Sequence, residues 1–224
     1  MIITPRCQIA LRFENSLNDR GNFGSNWSLT NFPGYQDGKI GRGTQNFVGN
    51  AYIHTSNIDN ITTEVTVALW YFWGNSTGSQ GAIAGQEWLQ SGNGFGFFQL
   101  PRNGTPAINW AVRPNNNNTS QWIELSPTNS WHHIVGTAKR LEDGTTWVQR
   151  FYFDGELIEE DIEVKGVGST LLRTLNRPFS VGARNAGPWG FYDSNAYDEL
   201  YVWNKALEGG DIERIMNGLH PLNG

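Results

Sequence analysis

Residues 145–165 read TTWVQRFYFDGELIEEDIEVK. Two apolar-alternating runs, 145–154 and 157–165, flank the pair Asp154-Gly155, and both residues of that pair tolerate the positive φ of a two-residue hairpin turn. The stretch is therefore read as an antiparallel hairpin. In its second arm Glu159, Asp161 and Glu163 occupy alternate positions, which places them on one face of the strand with Ile158, Ile162 and Val164 on the other. The expectation is a half-wet strand with acids toward water and isoleucines toward a core.

The same alternation recurs outward from this hairpin. Strand candidates run through CQIALRFE, QNFVG, AYIHT, EVTVALWYFW, GAIAGQ, GFGFFQL, AINWAV, WIELS, HHIVGTAKR, PFSVGAR and NAYDELYVWN. Asn103-Gly104 and Asp143-Gly144 supply two further hairpin turns. Sustained 3.6-residue periodicity is confined to KALEGGDIERIMNGLHP, where Glu208 is the provisional N-cap and Leu207 and Ile212 stand at the spacing of a hydrophobic staple. Ile212, Ile215 and Met216 make its apolar stripe, and Gly218 and Pro221 stop it. The pattern predicts an all-β, two-sheet antiparallel sandwich with one short C-terminal helix. A chain of 224 residues with no linker reads as a single domain over 1–224, large enough to bury its own core.

Composition excludes several function classes. A net charge of −5 without a basic run leaves no footprint for a nucleic-acid backbone, and no apolar run reaches membrane-spanning length. The N-terminus lacks the apolar core of a secretion signal, so the expected location is cytoplasmic, or the exterior after cytoplasmic synthesis. Cys7 is the one cysteine, which rules out an internal disulfide, and its place in the first strand suggests a small buried apolar residue. No Walker loop, G-x-S-x-G elbow or zinc spacing occurs. His132 and His133 are adjacent on a strand and point to opposite faces, a poor arrangement for holding one metal.

Several stretches resemble the concanavalin A-like jelly-roll superfamily, in particular its laminin G-like branch. They are LRFENSLNDRGNFG (11–24), GYQDGKIGRGTQNF (34–47), TVALWYFW (66–73), NSWHHIVGTAKR (129–140) with VQRFYFDGELI (148–158), and YDELYVWNKALEGGDIERIM (197–216), in the family's order. The resemblance implies a jelly roll with the first and last strands adjacent. It also implies a structural calcium ion, with Asp19, Asn22 and Asp198 on the matching positions; calcium prefers such oxygen ligands. Family-16 glycoside hydrolases share this fold and carry Glu-x-Asp-x-Glu on a strand, which makes Glu159 and Glu163 the residues of a hydrolase alternative. In those enzymes the catalytic strand precedes the tryptophan-rich strand and its hairpin, whereas here the hairpin comes first. The expectation is a protein without catalytic residues.

Function is then sought in loop aromatics and amides, which suit the apolar faces and hydroxyls of sugars. Trp88, Trp110, Arg113, Asn115, Trp122, Trp189 and Tyr192 are the candidate ligand-binding residues, and Trp70, Trp131, Trp147 and Trp203 are assigned to the core. The expected function is a carbohydrate-binding module for surface attachment or adhesion, with glycans or polysaccharides as partners. A bacteriophage virion protein, as decoration or fibre, is its suggested setting. The other alternative is a purely structural virion protein that contacts neighbouring proteins and forms oligomers.

Overall fold

A computed structural model describes residues 7–22, 26–55, 58, 61–74, 81–86, 93–114, 119–124, 128–164, 178–184 and 192–219. In chain order the strands are β1 (Cys7–Leu11), β2 (Ser28–Thr30), β3 (Tyr35–Asp37), β4 (Arg42–Thr44), β5 (Tyr52–His54), β6 (Glu64–Trp73), β7 (Gly81–Gln86), β8 (Gly94–Arg102), β9 (Thr105–Arg113), β10 (Thr119–Glu124), β11 (Ser130–Arg140), β12 (Thr146–Phe153), β13 (Glu156–Val164), β14 (Phe179–Val181) and β15 (Ala196–Trp203). One helix, α1 (Gly209–Met216), follows.

The strands pair antiparallel into a six-stranded sheet, β1-β15-β6-β11-β12-β13, a seven-stranded sheet, β10-β9-β8-β7-β14-β5-β2, and the small hairpin β3-β4. As the family resemblance implied, the first and last strands are neighbours, with Ala10 opposite Tyr201. Between the two large sheets lies a core that takes alternate residues from each strand: Val65, Val67, Leu69, Tyr71 and Trp73 from β6, and Ile108, Trp110 and Val112 from β9. The outer face of the six-stranded sheet is covered at one end by α1. There Leu207, Ile212 and Ile215 pack with Cys7, Ala68, Val135, Tyr152 and Trp203. Glu208 is the N-cap, and Gly218 at φ +74° ends the helix.

The turns Asn103-Gly104 and Asp154-Gly155 have positive φ at both positions, as two-residue hairpins require. Asp143 does not follow suit. It accepts the amides of Thr145 and Thr146, each at 2.8 Å, and only Gly144 has positive φ in that loop. QNFVG forms no strand, although Phe47 is buried in the core. Trp70, Trp147 and Trp203 are buried as expected; Trp131 is only half-buried, packed edge-on against Phe72.

The opening hairpin carries the main correction. A β-bulge shifts the register between Phe151 and Tyr152, so that Tyr152 faces Leu157 but Phe151 faces Glu159. A slip of one residue moves every following side chain to the opposite face. Glu159, Asp161 and Glu163 thus stand opposite the buried Phe151, Gln149 and Trp147, on the interior side of the sheet. Leu157, Ile158 and Ile162 look outward, 50%, 41% and 60% exposed. The acids are tolerated because β13 is an edge strand, and that side opens onto the seam with β10 rather than onto packed core.

Candidate functional site

The outer face of the seven-stranded sheet is smooth in the middle and aromatic at its ends. Gly85 pairs with Ser180 on one side and Gly96 on the other, and Gly96 pairs with Ala111, so a row of small residues crosses four strands. The strands approach so closely that a Cβ on Gly85 would lie 2.6 Å from Gly96 Cα, which only glycine allows. The adjacent row on the same face runs Tyr192, Ala82, Phe98, Asn109, Trp122.

Each end of that row is a polar-aromatic station. At the β10 end the guanidinium of Arg102 lies 5.6 Å from the centre of the Trp122 ring and 3.5 Å from Glu124. At the other end Tyr192 bridges Ala82 and Ala183 and stacks on Tyr52 at 6.3 Å, and Tyr52 in turn lies 5.7 Å from the His54 ring. Burial holds the His54 imidazole below its ordinary pKa, so it presents a neutral ring at neutral pH. Between the stations Phe98 and Asn109 are buried, and Asn109 Nδ2 donates to Gln121 O at 3.1 Å.

The sequence-predicted ligand residues divide accordingly. Trp122 and Tyr192 are half-buried and mark the two stations; Arg113 is half-buried on the same face at the end of β9, opposite Gly94. Trp110 is corrected to the core. It has no exposed surface, points between the sheets, and donates its indole N–H to Thr137 O at 3.2 Å. A ligand-binding residue flanking a loop was expected there, but its place in the alternation of AINWAV gives it the inner parity of Ile108 and Val112. Trp88, Asn115 and Trp189 lie outside the described residues. Sequence reasoning missed Tyr52, His54, Arg102, Phe98 and Asn109. Only the glycines of GFGFF hinted at a flat outer face.

The hydrolase alternative finds its residues at the seam rather than on this face. Glu159 accepts the amide of Trp122 at 2.9 Å, while Gln121 Nε2 donates to Gln149 O at 2.8 Å. These bonds tie the edge strand β10 of one sheet to the last two strands, β12 and β13, of the other.

Two of the expected calcium positions, Asp19 and Asp198, each leave one carboxylate oxygen without a hydrogen bond. Asp19 Oδ1 accepts the amides of Ala10 and Gly21, and its Oδ2 is buried without a hydrogen bond. Asp198 Oδ2 accepts the amide of Ile40 at 2.8 Å, and its Oδ1 is likewise buried and unpaired. Each carboxylate thus has one oxygen for a cation, but each is tied to a different segment. Among the described residues no three His, Cys, Asp or Glu side chains gather at one point.

Asp198 sits beside Trp70, which in turn faces His133. Burial pushes the Asp198 carboxyl up to about 8 and pulls the His133 imidazole down to about 4. Below pH 6.5 the unfolded chain protonates its histidine first, so His133 costs stability as pH falls from 6.5 to 4. From 3.8 to about 8 the folded state keeps the proton on Asp198 that the unfolded state has lost, so stability falls as pH rises through that window. The two slopes oppose one another below pH 6.5. Between pH 6.5 and 8 only that of Asp198 remains, and about 2 kcal/mol should be lost. Asp193 and Glu199, whose carboxyls burial also raises, act in the same direction. Urea unfolding at several pH values checks this: Asp198→Asn is expected to flatten the slope between pH 6.5 and 8, and an unchanged slope would remove Asp198 as its source.

Residues 47–213 match the family model for laminin G-like domains, described as the concanavalin A-like lectin/glucanases superfamily. No curated protein matches the chain. Among solved structures, the binding domain of Paraclostridial mosquitocidal protein 1 aligns with a TM-score of 0.70 and 14% identity, over 96% of this chain and 53% of that one. The binding domain of botulinum neurotoxin DC in complex with SialylT aligns at 0.66 and 13% identity, over 97% and 52%. The same domain in complex with rat synaptotagmin II aligns at 0.67 and 14%, over 97% and 52%. The chain spans about half the length of these structures, and at such identities the likeness is one of fold. With the family model matching well over half of its length, the chain belongs to the concanavalin A-like lectin/glucanase superfamily, in the laminin G-like branch.

Proposed function

We propose that the protein is an attachment module that holds glycans on the outer face of its seven-stranded sheet without cleaving them. The two half-buried ends of the row, Tyr192 stacked on Tyr52 and Trp122 beside Arg102, carry this reading, since Ala82, Phe98 and Asn109 between them are buried. Aromatic rings at both ends suit the apolar faces of sugar rings, and Arg102, Arg113 and His54 offer hydrogen bonds to hydroxyls or to an acidic sugar. Support also comes from the fold shared with a toxin binding domain in complex with SialylT. The tie of Glu159 to the amide of Trp122 favours a structural use of that acid over catalysis.

A glycan array read with the parent protein and with Trp122→Ala tests it. The variant is expected to lose affinity about tenfold or more, the scale of one aromatic stacking contact with its buried area. Equal retention by both proteins would remove the β10 station. Cleavage of a retained glycan, lost in Glu159→Gln, would restore the hydrolase. One observation favours a second reading, a protein partner: the outward strip of Leu157, Ile158 and Ile162 is apolar and open. A silent array, with protein retention that Ile162→Asp abolishes, would move the function to that strip.

A further inference from the structure

We propose that Thr128 is a nucleophile activated by His132 and Asp154, giving the protein a hydrolytic activity toward small activated esters that is separate from glycan attachment. The four polar side chains concerned converge where β11 begins. His132 Nδ1 lies 2.7 Å from Asp154 Oδ2; His132 Nε2 lies 2.6 Å from Thr128 Oγ1 and 3.0 Å from Ser130 Oγ. Ser130 Oγ donates to Thr128 Oγ1 at 2.7 Å. With the Asp154 carboxylate fixing the proton on Nδ1, the Nε2 lone pair faces the hydroxyls, and the proton of Thr128 has Nε2 as its acceptor. This is the order of an orienting acid, a base and a hydroxyl.

Each member is held from a separate direction. Asp154 occupies the left-handed position of its hairpin turn, φ +49°, and its Oδ1 accepts the amide of His133 at 2.8 Å. The His132 ring stacks on Phe153, with centroids 4.7 Å apart and planes 24° apart. Thr128 and Asn129 both donate their amides to Trp73 O, at 3.1 and 2.9 Å, and Asn129 at φ +53° brings the turn round into Ser130. Thr128 is exposed, so a small substrate reaches it from solvent.

In the step that follows, Thr128 Oγ1 bonds to the acyl carbon while its proton passes to His132 Nε2. The bond from that carbon to the leaving oxygen breaks, and Nε2 returns the proton to the departing alcohol. Water then attacks the acyl-threonine, Nε2 takes the proton of water and gives it to Thr128 Oγ1, and the carboxylic acid leaves. No oxidant or reductant enters.

The test uses the full chain with diisopropyl fluorophosphate, followed by peptide mapping, and with 4-nitrophenyl acetate hydrolysis. One phosphoryl group on Thr128 is expected, formed about a hundredfold or more slowly in His132→Gln, the scale of lost general-base help. A label on Ser130 or elsewhere, or equal rates in parent and His132→Gln, overturns the proposal. Because His132 is part of a stack, Thr128→Ala on the exposed turn gives a second reading. It is expected to melt with the parent and to lose ester hydrolysis; hydrolysis at the parental rate overturns the proposal as well.

Discussion

Alanine at Gly136 is expected to cost about 3 kcal/mol or more and to lower the melting temperature by roughly 6–12 °C in a protein of this size. Gly136 lies on β11 with its face toward the opposite sheet, where the indole of Trp110 rests directly on its backbone. A Cβ there would fall 2.1 Å from Trp110 Cδ2, 2.3 Å from Cε3 and 2.5 Å from Cε2. Trp110 cannot retreat freely, because its N–H is bonded to Thr137 O and its ring is packed against Phe97 at 4.8 Å. The added methyl must therefore push the sheets apart or break that bond, and close-packed interiors resist both. Thermal unfolding of Gly136→Ala, alone and with Trp110→Phe, separates the cause: the smaller ring is expected to return part of the loss. A single variant that melts with the parent would show that the indole is not seated as described.

Asp193→Ala is expected to destabilise by a further order of 3–5 kcal/mol, because it empties the centre of a wholly buried polar cluster. Its Oδ1 accepts from Tyr71 OH at 2.9 Å and Asn195 Nδ2 at 3.1 Å, and its Oδ2 accepts from Tyr197 OH. Asn195 extends the cluster to Gln99 Oε1 at 3.2 Å and, through its Oδ1, to the amide of Gly74 at 3.0 Å. Burial drives the Asp193 carboxyl up, against the hydrogen bonds that pull it down, and drives both tyrosines well above their ordinary range. Removing the carboxylate leaves buried donors without acceptors, whereas removing one donor leaves the rest of the cluster paired. Tyr197→Phe should accordingly cost much less than Asp193→Ala in urea unfolding; equal costs would mean that the cluster does not act through its acid.

The candidate sites show how unevenly such features can be read from a sequence. Residue type alone singles out Trp122 and Tyr192 as candidates, and the structure sets them at opposite ends of one row. Trp110 has the same type and belongs to the core, because its parity within β9 decides which way it points. Tyr52, His54 and Arg102 come from strands or strand ends distant in the chain, and no local pattern joins them to Tyr192 and Trp122. The group of Thr128, Ser130, His132 and Asp154 was equally hidden. In sequence its histidine stands next to His133, and its acid is half of an Asp-Gly turn; neither pattern points to Thr128.

What the sequence by itself determined is what short-range physics encodes. Period-two alternation, Asn-Gly and Asp-Gly turns and one staple-bearing helix were enough for an antiparallel sandwich, whereas the adjacency of β1 and β15 was expected only from the family resemblance. The tertiary structure alone decided which face of each strand met water where the register was broken. The bulge between Phe151 and Tyr152 turned Ile158 and Ile162 outward and the acids toward the seam, against the alternation that the sequence displays. A bulge inserts one residue at a place fixed by pairing across strands, and pairing is a long-range property. The period of a strand survives in its sequence, but its phase relative to the core is set only when the sheets close.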